Sequence, residues 1–313
     1  YRMGEKMGIS FQKRRLKFTF TLSTGAFSDG TDTRIIEHAK AHVTHENLAN
    51  IAAALPEVSF RIWGLSYDVL KRLSFTQAQS MTINQQNKVK IEVGEDSGES
   101  WFVLFDGNII GAYVDFNQMP NVPLMVRAVA AYNSLVDVAK PLTYKNKTPL
   151  SQIAGAIISQ MKDYSFIDGG LQGEGVGTFQ GSPMVKLREF CNNYQLVYII
   201  DEKNITIMPY GKANPHRANA YVLSATTGLV GYPTLTDLGA SVRMLYHPSI
   251  RSGDKIILKS EINEMIERNR PPTTKETIEG EWYICKMFAS LSSETPNGDW
   301  FLDLDLLQEA GIY

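Results

Sequence analysis

Hydrophobic and polar residues alternate along the first third of the chain with the period of two that is typical of a half-buried β-strand. Phe18, Phe20 and Leu22 alternate with polar residues, and the same pattern recurs at 58–62 and at 89–93. The segment EDSGES then separates the third strand from the run SWFVLFDGNIIGAYVDF, which predicts a hairpin. Residues 66–73 predict one short helix and residues 124–132 a further strand. We therefore predict an antiparallel β-region of barrel size over residues 1–135.

The spacing becomes helical after residue 140. Thr148 is expected to cap a helix in which Pro149 takes the first position. The apolar residues of this helix recur on one side, at Leu150, Ile153, Ala154, Ile157, Ile158 and Met161. A second helix begins at Ser182 and Pro183, and the run LVYIIDEKNITIMPYG after it predicts two short strands about a tight turn. Residues 136–215 therefore predict a small α/β domain inserted in the chain.

Strand patterns return in residues 216–313. The turn PNGD joins the two strands of a closing hairpin, and the second strand has Trp300, Leu302, Leu304 and Leu306 on one face. The charged stretch 263–280 contains a double proline and breaks the pattern, so it predicts a protruding loop or a short helix with a linker. The predicted fold class is α+β and mainly β: two antiparallel β-barrel or sandwich domains around the α/β insert.

Composition limits the function classes. The chain has 313 residues, 43% of them hydrophobic, which can form two or three cores of ordinary domain size. Its 31 Lys and Arg residues balance 33 Asp and Glu residues, so net charge alone gives no reason to expect nucleic-acid or membrane-surface binding.

The cysteines and the apolar runs bear on the folding compartment. Cys191 and Cys285 lie in predicted regular elements and are interpreted as small buried hydrophobic residues, which fits folding in the cytoplasm. No apolar run approaches twenty residues and the opening YRMGEKMG lacks a signal-peptide core, so we expect neither membrane insertion nor secretion.

The segment HAKAHVTHE is the candidate metal site. On a helix, His38, His42 and His45 would align at i, i+4 and i+7, with Glu46 as a fourth ligand. On a strand, however, His45 points away from the face that His38 and His42 share. No second ligand cluster stands elsewhere in the sequence, so we expect no metal.

The most glycine-dense stretch is GGLQGEGVGTFQGSP, residues 169–183. It contains no Lys followed by Ser or Thr, so it lacks the charge and the magnesium ligand that a phosphate-binding loop requires. A dinucleotide fingerprint would need a clear strand before it. We expect a flexible surface loop over 169–182 and no cofactor.

Paired carboxylates are the candidate catalytic group. Asp303 and Asp305 share the polar face of the last predicted strand, near the separation of a retaining glycosidase pair. The same residues also solvate the outer face of an amphipathic strand, and nothing in the sequence predicts a perturbed environment for either. No G-x-S-x-G elbow is present. We therefore expect no catalytic residues and no enzyme activity.

The charges at the two ends of the chain differ in sign. Lys13, Arg14, Arg15 and Lys17 lie near the start, whereas Asp299, Asp303, Asp305 and Glu309 lie near the end. This asymmetry would suit end-to-end stacking of copies, and it would equally suit two solvated faces.

Residues 228–258 combine glycine and proline with strand-like spacing. Without a lysine in the loop the segment cannot cradle a phosphate, but it can form the corner of a barrel. The residues expected to give this motif its shape are Gly228, Gly231, Tyr232, Pro233, Gly239, Pro248 and Gly253.

Several separated motifs, in order, resemble one family. The run TTGLVGYPTLTDLGASVRMLYHPSIRSGDKIIL and the opening LKFTFTLSTGAFSDGTDT resemble segments of the baseplate hub proteins of phage and prophage tails. The helix that begins with Pro149 and Leu150, the hairpin Y-x-I-D…I-x-I-x-P-x-G and the closing G-x-W…P-x-G-x-W-F hairpin extend the resemblance over most of the chain. The charged stretch 263–280 is longer than we expect of the family, so that side of the molecule could face an additional partner.

The resemblance implies a structural hub without catalytic residues. It implies two domains folded like tail-tube subunits, so that a homotrimeric ring presents six tube-like domains to the hexameric tail tube and threefold symmetry to the central spike. Its expected partners are further copies of the chain, the tube and spike proteins, other baseplate proteins, and the DNA or tape-measure protein in the lumen. The expected location is the virion, with assembly in the bacterial cytoplasm.

Two other functions stay open at this point. One is a cell-wall glycan hydrolase associated with a tail or a secretion-system spike, although the three predicted regions leave no room for a further domain. The other is a peptide-binding β module at the spike base of a secretion system.

Overall fold

The computed structural model describes residues 14–48, 55–75, 87–95, 100–217, 220–236, 239–259 and 280–309. Lys13 and nearly all of the charged stretch 263–280 lie outside these ranges, so the expectations for them stay predictions.

Strands dominate the described residues. The strands are β1 Arg14–Thr21, β2 Thr33–Ile36, β3 Ala41–Leu48, β4 Glu57–Ile62, β5 Lys88–Glu95, β6 Trp101–Val114, β7 Leu124–Val129, β8 Leu142–Pro149, β9 Ser165–Asp168, β10 Glu174–Phe179, β11 Leu196–Asp201, β12 Asn204–Pro209, β13 Tyr221–Leu223, β14 Leu229–Thr236, β15 Gly239–Leu245, β16 Lys255–Leu258, β17 Gly280–Ser293 and β18 Trp300–Leu307. The helices are α1 Tyr67–Leu73, α2 Tyr132–Val136, α3 Leu150–Ile158 and α4 Pro183–Asn193, with a short 3-10 helix at Phe116–Gln118.

One large sheet, mainly antiparallel, organises the molecule. Its strand order is β14-β15-β18-β17-β3-β4-β7-β6-β5-β1-β2, with β16 on β17 and β13 parallel to β16. Because β17 pairs with β3, the first and last β-regions of the chain share this sheet.

The expectation of a barrel is wrong for the described residues. The end strands β14 and β2 do not pair with each other, so the sheet stays open. A register shift between Val230 and Thr234 bends β14, and Pro233 within it has no N–H to donate. Such features are typical of a strand at the edge of a sheet.

The sheet curls around its apolar face. Alternate residues of β1, including Phe18 and Phe20, are fully buried, as are Leu302 and Leu304 of β18. The curl brings Nη1 of Arg14 to 3.1 Å from the carbonyl of Gly298, and its guanidinium lies 5.6 Å from the centre of the Trp300 ring. The predicted alternation of these strands is therefore confirmed.

Ion pairs cross between strands on the outer face of the sheet. They join Arg127 to Glu57, Arg243 to Asp303, Lys286 to Glu46 and Lys17 to Glu92. Lys17 and Glu92, like Arg243 and Asp303, are directly opposite in the register, whereas the other two pairs are diagonal, two residues along the strand, where long side chains still reach each other.

The inserted segment forms two small sheets beside two helices. Strands β8 and β10 pair antiparallel, while β12 pairs antiparallel with β11 and parallel with β9. The buried faces of α3 and α4 contribute Ile153, Ile157, Leu187 and Phe190. Helix α4 begins as predicted, because Ser182 Oγ accepts a hydrogen bond from the Val185 N–H at 3.4 Å.

The predicted cap of the first of these helices is wrong. Thr148 Oγ1 donates to the Asn146 carbonyl at 3.0 Å, and Pro149 is the last residue of β8, with an extended ψ of 135°. Strand β8 therefore runs directly into α3, whose first residue is Leu150.

The expected flexible loop at 169–182 is wrong for Glu174–Phe179, which form β10. The Tyr194 hydroxyl accepts from the Val176 N–H at 3.1 Å and donates to the Val176 carbonyl at 2.9 Å. A Cβ at Gly175 would lie 2.4 Å from that hydroxyl. Glycine here therefore allows a tyrosine to fix the strand.

The strand expected over 124–132 ends early. Strand β7 stops at Val129, and Ala131, with a left-handed φ of 55°, turns the chain into the short helix α2. The Ala131 N–H donates to the Tyr164 hydroxyl at 2.9 Å, which ties this turn to the inserted segment.

Candidate functional site

The loop between β15 and β16 is the place where the three regions of the chain meet. We call residues 246–254 the junction loop. Ser252 Oγ donates to the Asn47 carbonyl of β3 at 3.3 Å, and Asn47 Nδ2 lies 3.5 Å from the Ile200 carbonyl of β11. The junction loop thus connects the first β-region with the inserted segment.

Arg251 is the central side chain of the junction loop. Its Nε lies 3.2 Å from Oδ1 of Asp201, at the turn between β11 and β12. Its terminal nitrogens donate to the carbonyls of Pro248 at 2.6 Å, Ile250 at 3.1 Å and Val103 of β6 at 3.1 Å. One guanidinium therefore contacts the insert, the large sheet and its own loop.

Arg217 completes the ionic cluster. This residue follows the insert, and its Nε lies 2.5 Å from Oδ1 of Asp254. It also lies 3.5 Å from Asp201 and donates to the Ser249 carbonyl at 2.6 Å. Both arginines therefore pair with Asp201. Asp254, in the junction loop, is the second carboxylate of the cluster and pairs with Arg217.

Burial shifts the acidity of this cluster. The Asp254 side chain is only 9% exposed, and desolvation raises its pKa to about 6, against the opposing effect of Arg217 and of the Arg251 N–H. That N–H donates to Asp254 Oδ2 at 2.8 Å. Within β3, burial lowers the pKa of His45 to about 4, and the charge of Arg251 adds to the shift.

Gly253 fits the junction loop closely against the insert. Its φ is 84°, and a Cβ at this position would lie 2.4 Å from Cδ1 of Ile199 in β11. Its N–H donates to the Ile284 carbonyl at 2.8 Å, and its carbonyl accepts from the Asn214 N–H at 2.9 Å. Of the seven motif residues, Gly253 and Pro248 lie in this loop.

The other five motif residues lie in the edge hairpin β14–β15 or directly before it. The Gly228 carbonyl accepts from the Leu245 N–H at 2.8 Å. Gly231, with a φ of 72°, and Pro233 lie in the register shift of β14, where the Tyr232 side chain is 70% exposed. A Cβ on Gly239 would lie 2.0 Å from the Leu306 carbonyl oxygen of β18.

The structure places the motif residues in two locations rather than one. That these seven residues together give the segment its shape stays a prediction. The sequence pattern does not indicate Asp201, Arg217, Arg251 or Asp254, because ion pairs between segments far apart in the chain have no spacing signal in a single sequence.

The histidines do not converge. Strand β3 begins at Ala41, so His42 and His45 lie on opposite faces, while His38 precedes the strand with a left-handed φ of 58°. His42 Nδ1 lies 3.0 Å from Ser292 Oγ, and His45 packs edge-on against Phe105. Within the described ranges, no group of three or more His, Cys, Asp or Glu side chains could hold a metal ion.

The two carboxylates considered for catalysis lie on the outer face of β18. Asp303 accepts two hydrogen bonds from Arg243, at 2.7 and 2.9 Å, which raise the pKa of that guanidinium. Asp305 lies opposite Ser241 and Lys286 in the register. Both therefore belong to the ion-paired face of the sheet.

The charges near the two ends of the chain have partners inside the molecule. Arg15 pairs with Glu37 and Lys17 with Glu92. Asp299 accepts from Ser290 Oγ at 2.9 Å, and Glu309 accepts from the Ala213 N–H at 3.1 Å. End-to-end stacking through these groups stays untested.

A groove of about 1180 Å³ lies between the insert and the strands after it. Its lining includes Tyr194, Tyr210, Lys255 and Glu309. The carboxylate of Glu309 already accepts a hydrogen bond, as described above, and the thiol of Cys191 is buried, which raises its pKa. Across the described residues, no helix is long and apolar enough to cross a membrane.

Comparison with known proteins identifies related molecules. The family model described as "Baseplate hub gp41" matches residues 42–269, more than half of the chain. No curated protein matches the sequence.

Three solved structures have a similar fold. The tail protein from Neisseria meningitidis MC58 has a TM-score of 0.57 at 9% identity, over 92% of this chain and 96% of that one. The 43 kDa tail protein of prophage MuSo2 from Shewanella oneidensis has a TM-score of 0.60 at 11% identity, over 94% and 97%. The lidded PdpA-VgrG complex of Francisella has a TM-score of 0.50 at 10% identity, over 96% of this chain and 54% of that one. At such low identities the likeness shows a shared fold.

Proposed function

Because the chain belongs to the baseplate hub gp41 family, we propose that it forms a homotrimeric ring that adapts the hexameric tail tube to the threefold central spike. The chain is a structural component of a phage tail baseplate. In this proposal it positions other proteins and catalyses no reaction.

The open sheet is the observation that carries the ring proposal. Strands β14 and β2 end the sheet on opposite sides, and neither edge has a partner strand among the described residues. Edge strands of this kind are covered in stable proteins, often by another chain. Pairing of β14 in one copy with β2 in the next is a head-to-tail contact, and such contacts close into a ring when the rotation permits.

The three regions have separate roles in this proposal. Residues 1–135 and 216–313 supply the two tube-like domains, so that three copies offer six such domains to the tube. Residues 136–215 form the insert, which the junction loop holds against the sheet. The ionic cluster around Arg251 keeps the orientation of the insert fixed in every copy of the ring.

The partners follow from this arrangement. They are the tube protein on one side, the spike protein on the other, neighbouring baseplate proteins, and the DNA or tape-measure protein in the lumen. The fold shared with a chain of the PdpA-VgrG complex supports a place beside a spike. The proposed location is the tail baseplate of the virion, after assembly in the host cytoplasm.

Native mass spectrometry of the purified chain tests the ring. We expect a species with three times the chain mass of 35.0 kDa. A stable dimer would contradict the proposal. If the purified chain is monomeric, the test passes to purified tails, where three copies per tail are expected and six would contradict the proposal.

A further inference from the structure

A small cavity of about 30 Å³ lies where β3, β6, the insert and the junction loop meet. Its lining includes side chains from each of these four parts: His45 of β3, Phe105 of β6, Asp201 of the insert, and Tyr246 and Arg251 of the junction loop. The first β-region, the insert and the segment that follows it therefore border one small space.

His45 brings a polar ring to the apolar face of the sheet. Along β3 it alternates with polar residues on the same buried side as Ala41 and Val43, and it is only 3% exposed. Its Nδ1 is buried and has no hydrogen-bond partner among the described residues. Such a nitrogen is costly, because folding has removed its hydrogen bonds to bulk water. Native proteins satisfy nearly all atoms of this kind, either with protein groups or with ordered water.

The Tyr246 hydroxyl is the second buried polar group at this cavity. It forms no hydrogen bond of normal geometry with any group in the described part of the chain. The tyrosine ring packs edge-on against Trp300, with ring centres 5.8 Å apart, which fixes the position of the hydroxyl. Burial raises the pKa of Tyr246 to about 12, against the opposing effect of Arg251. At neutral pH the hydroxyl therefore keeps its proton and needs an acceptor for it.

Arg251 cannot take the proton of the Tyr246 hydroxyl, because a guanidinium has no acceptor. Its own donors already bind Asp201 and three carbonyls, as described above. Burial lowers the pKa of His45 to about 4, and the Arg251 charge adds to this shift. At neutral pH the His45 ring is therefore uncharged, with one donor and one acceptor nitrogen.

The cavity has the size and the polarity that a single water molecule requires. A buried water needs a space of about 10–15 Å³ and two to four polar partners. The volume of about 30 Å³ meets the first condition, and it equals the share of one molecule in liquid water, so a larger ligand does not fit. The His45 nitrogen and the Tyr246 hydroxyl provide two partners. Because water both donates and accepts, it can bind either tautomer of the histidine while it accepts the tyrosine proton.

We propose that this cavity binds one ordered water molecule, which joins Nδ1 of His45 to the hydroxyl of Tyr246. The water connects β3 with the junction loop, in addition to the hydrogen bond from Ser252 to the Asn47 carbonyl. Both groups belong to the same copy of the chain, so the inference does not depend on the proposed ring.

A crystal structure of the natural chain at neutral pH, at a resolution that shows ordered water, tests the site directly. We expect one water at about 2.7–3.2 Å from both His45 Nδ1 and the Tyr246 hydroxyl oxygen. The proposal is overturned if density shows other ordered waters in the interior but none here. It is also overturned if the two groups bond directly to each other, or if an ion occupies the cavity.

Two substitutions measure the same link in solution. His45→Phe and Tyr246→Phe each remove one partner of the water and leave the other poorly satisfied, whereas the double variant places two apolar rings at the cavity. The double variant should therefore lose less stability than the two single variants together. We expect its unfolding equilibrium constant to depart from additivity by at least about twofold. Urea denaturation of the four proteins at neutral pH gives this coupling.

Tyr283→Phe provides the matched control. Tyr283 is 2% exposed and lies in β17, outside the lining of the cavity. Its substitution should add to that of His45 without coupling. Additive effects of the His45 and Tyr246 substitutions, or an equal coupling of His45 to Tyr283, would contradict the proposal. If His45→Phe does not fold, the crystal structure of the natural chain alone decides, since it needs no variant.

Discussion

Arg251 forms an ion pair with one carboxylate and hydrogen bonds with three carbonyls. These partners belong to the insert, the first β-region and the junction loop. Its contacts to Asp201, to Val103 and to its own loop replace the hydration that the guanidinium loses on burial. Removal of such a group leaves buried carbonyls and a carboxylate without their donor. The junction between insert and sheet therefore depends strongly on this one residue.

Arg251→Ala should lower the free energy of unfolding by about 2 kcal/mol, because three carbonyls and the Asp201 carboxylate lose the donor supplied by a side chain that is only 15% exposed. The control is Arg243→Ala, which breaks the exposed pair with Asp303 and should cost at most about 1 kcal/mol. Urea denaturation of both variants measures the difference. Equal losses of unfolding free energy in the two variants would show that the junction contacts of Arg251 stabilise the chain no more than an exposed ion pair does.

The acidity of Asp254 gives a pH dependence with a definite sign. Its pKa is about 6 in the folded chain and 3.8 ordinarily, so its contribution to stability is complete below about pH 4 and is lost as the pH rises through 6. His45 acts oppositely. Its pKa of about 4 lies below the ordinary 6.5, so its contribution is complete above pH 6.5 and is lost as the pH falls through 4.

Asp254→Asn should remove the first effect and leave the second. Between pH 4 and 6.5, the free energy of unfolding of the variant should therefore rise more steeply with pH than that of the natural chain. Denaturation curves at half-unit pH steps measure the two slopes, and the slopes are compared rather than the absolute values. Parallel curves would mean that Asp254 does not titrate in this range.

At the scale of elements, the hairpin β14–β15 depends on a glycine for its place in the sheet. Gly239 begins β15 beside β18, with no room for a side chain against the Leu306 carbonyl. Gly111 in β6 is the matched position, because nothing lies within 4 Å of a Cβ there and neither glycine has a positive φ.

Gly239→Ala should therefore destabilise the chain by about 2 kcal/mol, the usual cost of overpacking. Gly111→Ala should be neutral or slightly stabilising, since it restricts the unfolded chain without a clash. Thermal unfolding of both variants gives the comparison. A neutral Gly239→Ala would show that the edge hairpin can move away from β18 at no cost.

Strand β2 offers a test of the proposed contact between copies. The Leu22 N–H donates to the Asp32 carbonyl, and the register alternates from there, so the N–H of Ile35 points away from β1 toward the free edge. Ile35→Pro removes this N–H without breaking a bond inside the sheet. Ile35→Val keeps it and serves as the control.

If β2 pairs with β14 of a neighbouring copy, Ile35→Pro should weaken trimer formation at least about tenfold, since one bond is lost at each of the contacts in the ring. Ile35→Val should leave it nearly unchanged. Sedimentation over a concentration series measures both. An Ile35→Pro variant that still forms trimers as tightly as the natural chain would mean that another surface joins the copies.

At the scale of the whole molecule, the sequence predicts the elements better than their arrangement. The alternation of β1, β4 and β5, the start of α4 and the closing hairpin are local patterns, and all are confirmed. The pairing of β3 with β17 cannot be predicted in this way, because it joins residues such as His42 and Ser292, which are 250 positions apart.

In the candidate site, too, local features could be predicted from the sequence and long-range contacts could not. Gly253 and Pro248 are visible in the sequence, since glycine and proline mark turns wherever they occur. The residues that make their loop a junction, Arg217 and Asp201, come from other segments and have no marker of their own. Strand β10 could not be predicted either, because its glycines are typical of a loop. Gly175 leaves room for the Tyr194 hydroxyl that binds Val176, and this contact appears only in the folded chain.

The position of β3 in the middle of the sheet, between β17 and β4, affects how the chain folds during translation. One neighbour of β3, strand β4, is made soon after it, but the other, strand β17, begins only at Gly280. At about 5–20 residues per second, β3 waits roughly 12–50 s with one side uncovered. Pairing over such a distance is also intrinsically slow. Nascent chains therefore need protection from each other during translation, and ring formation cannot begin before β17 has paired with β3.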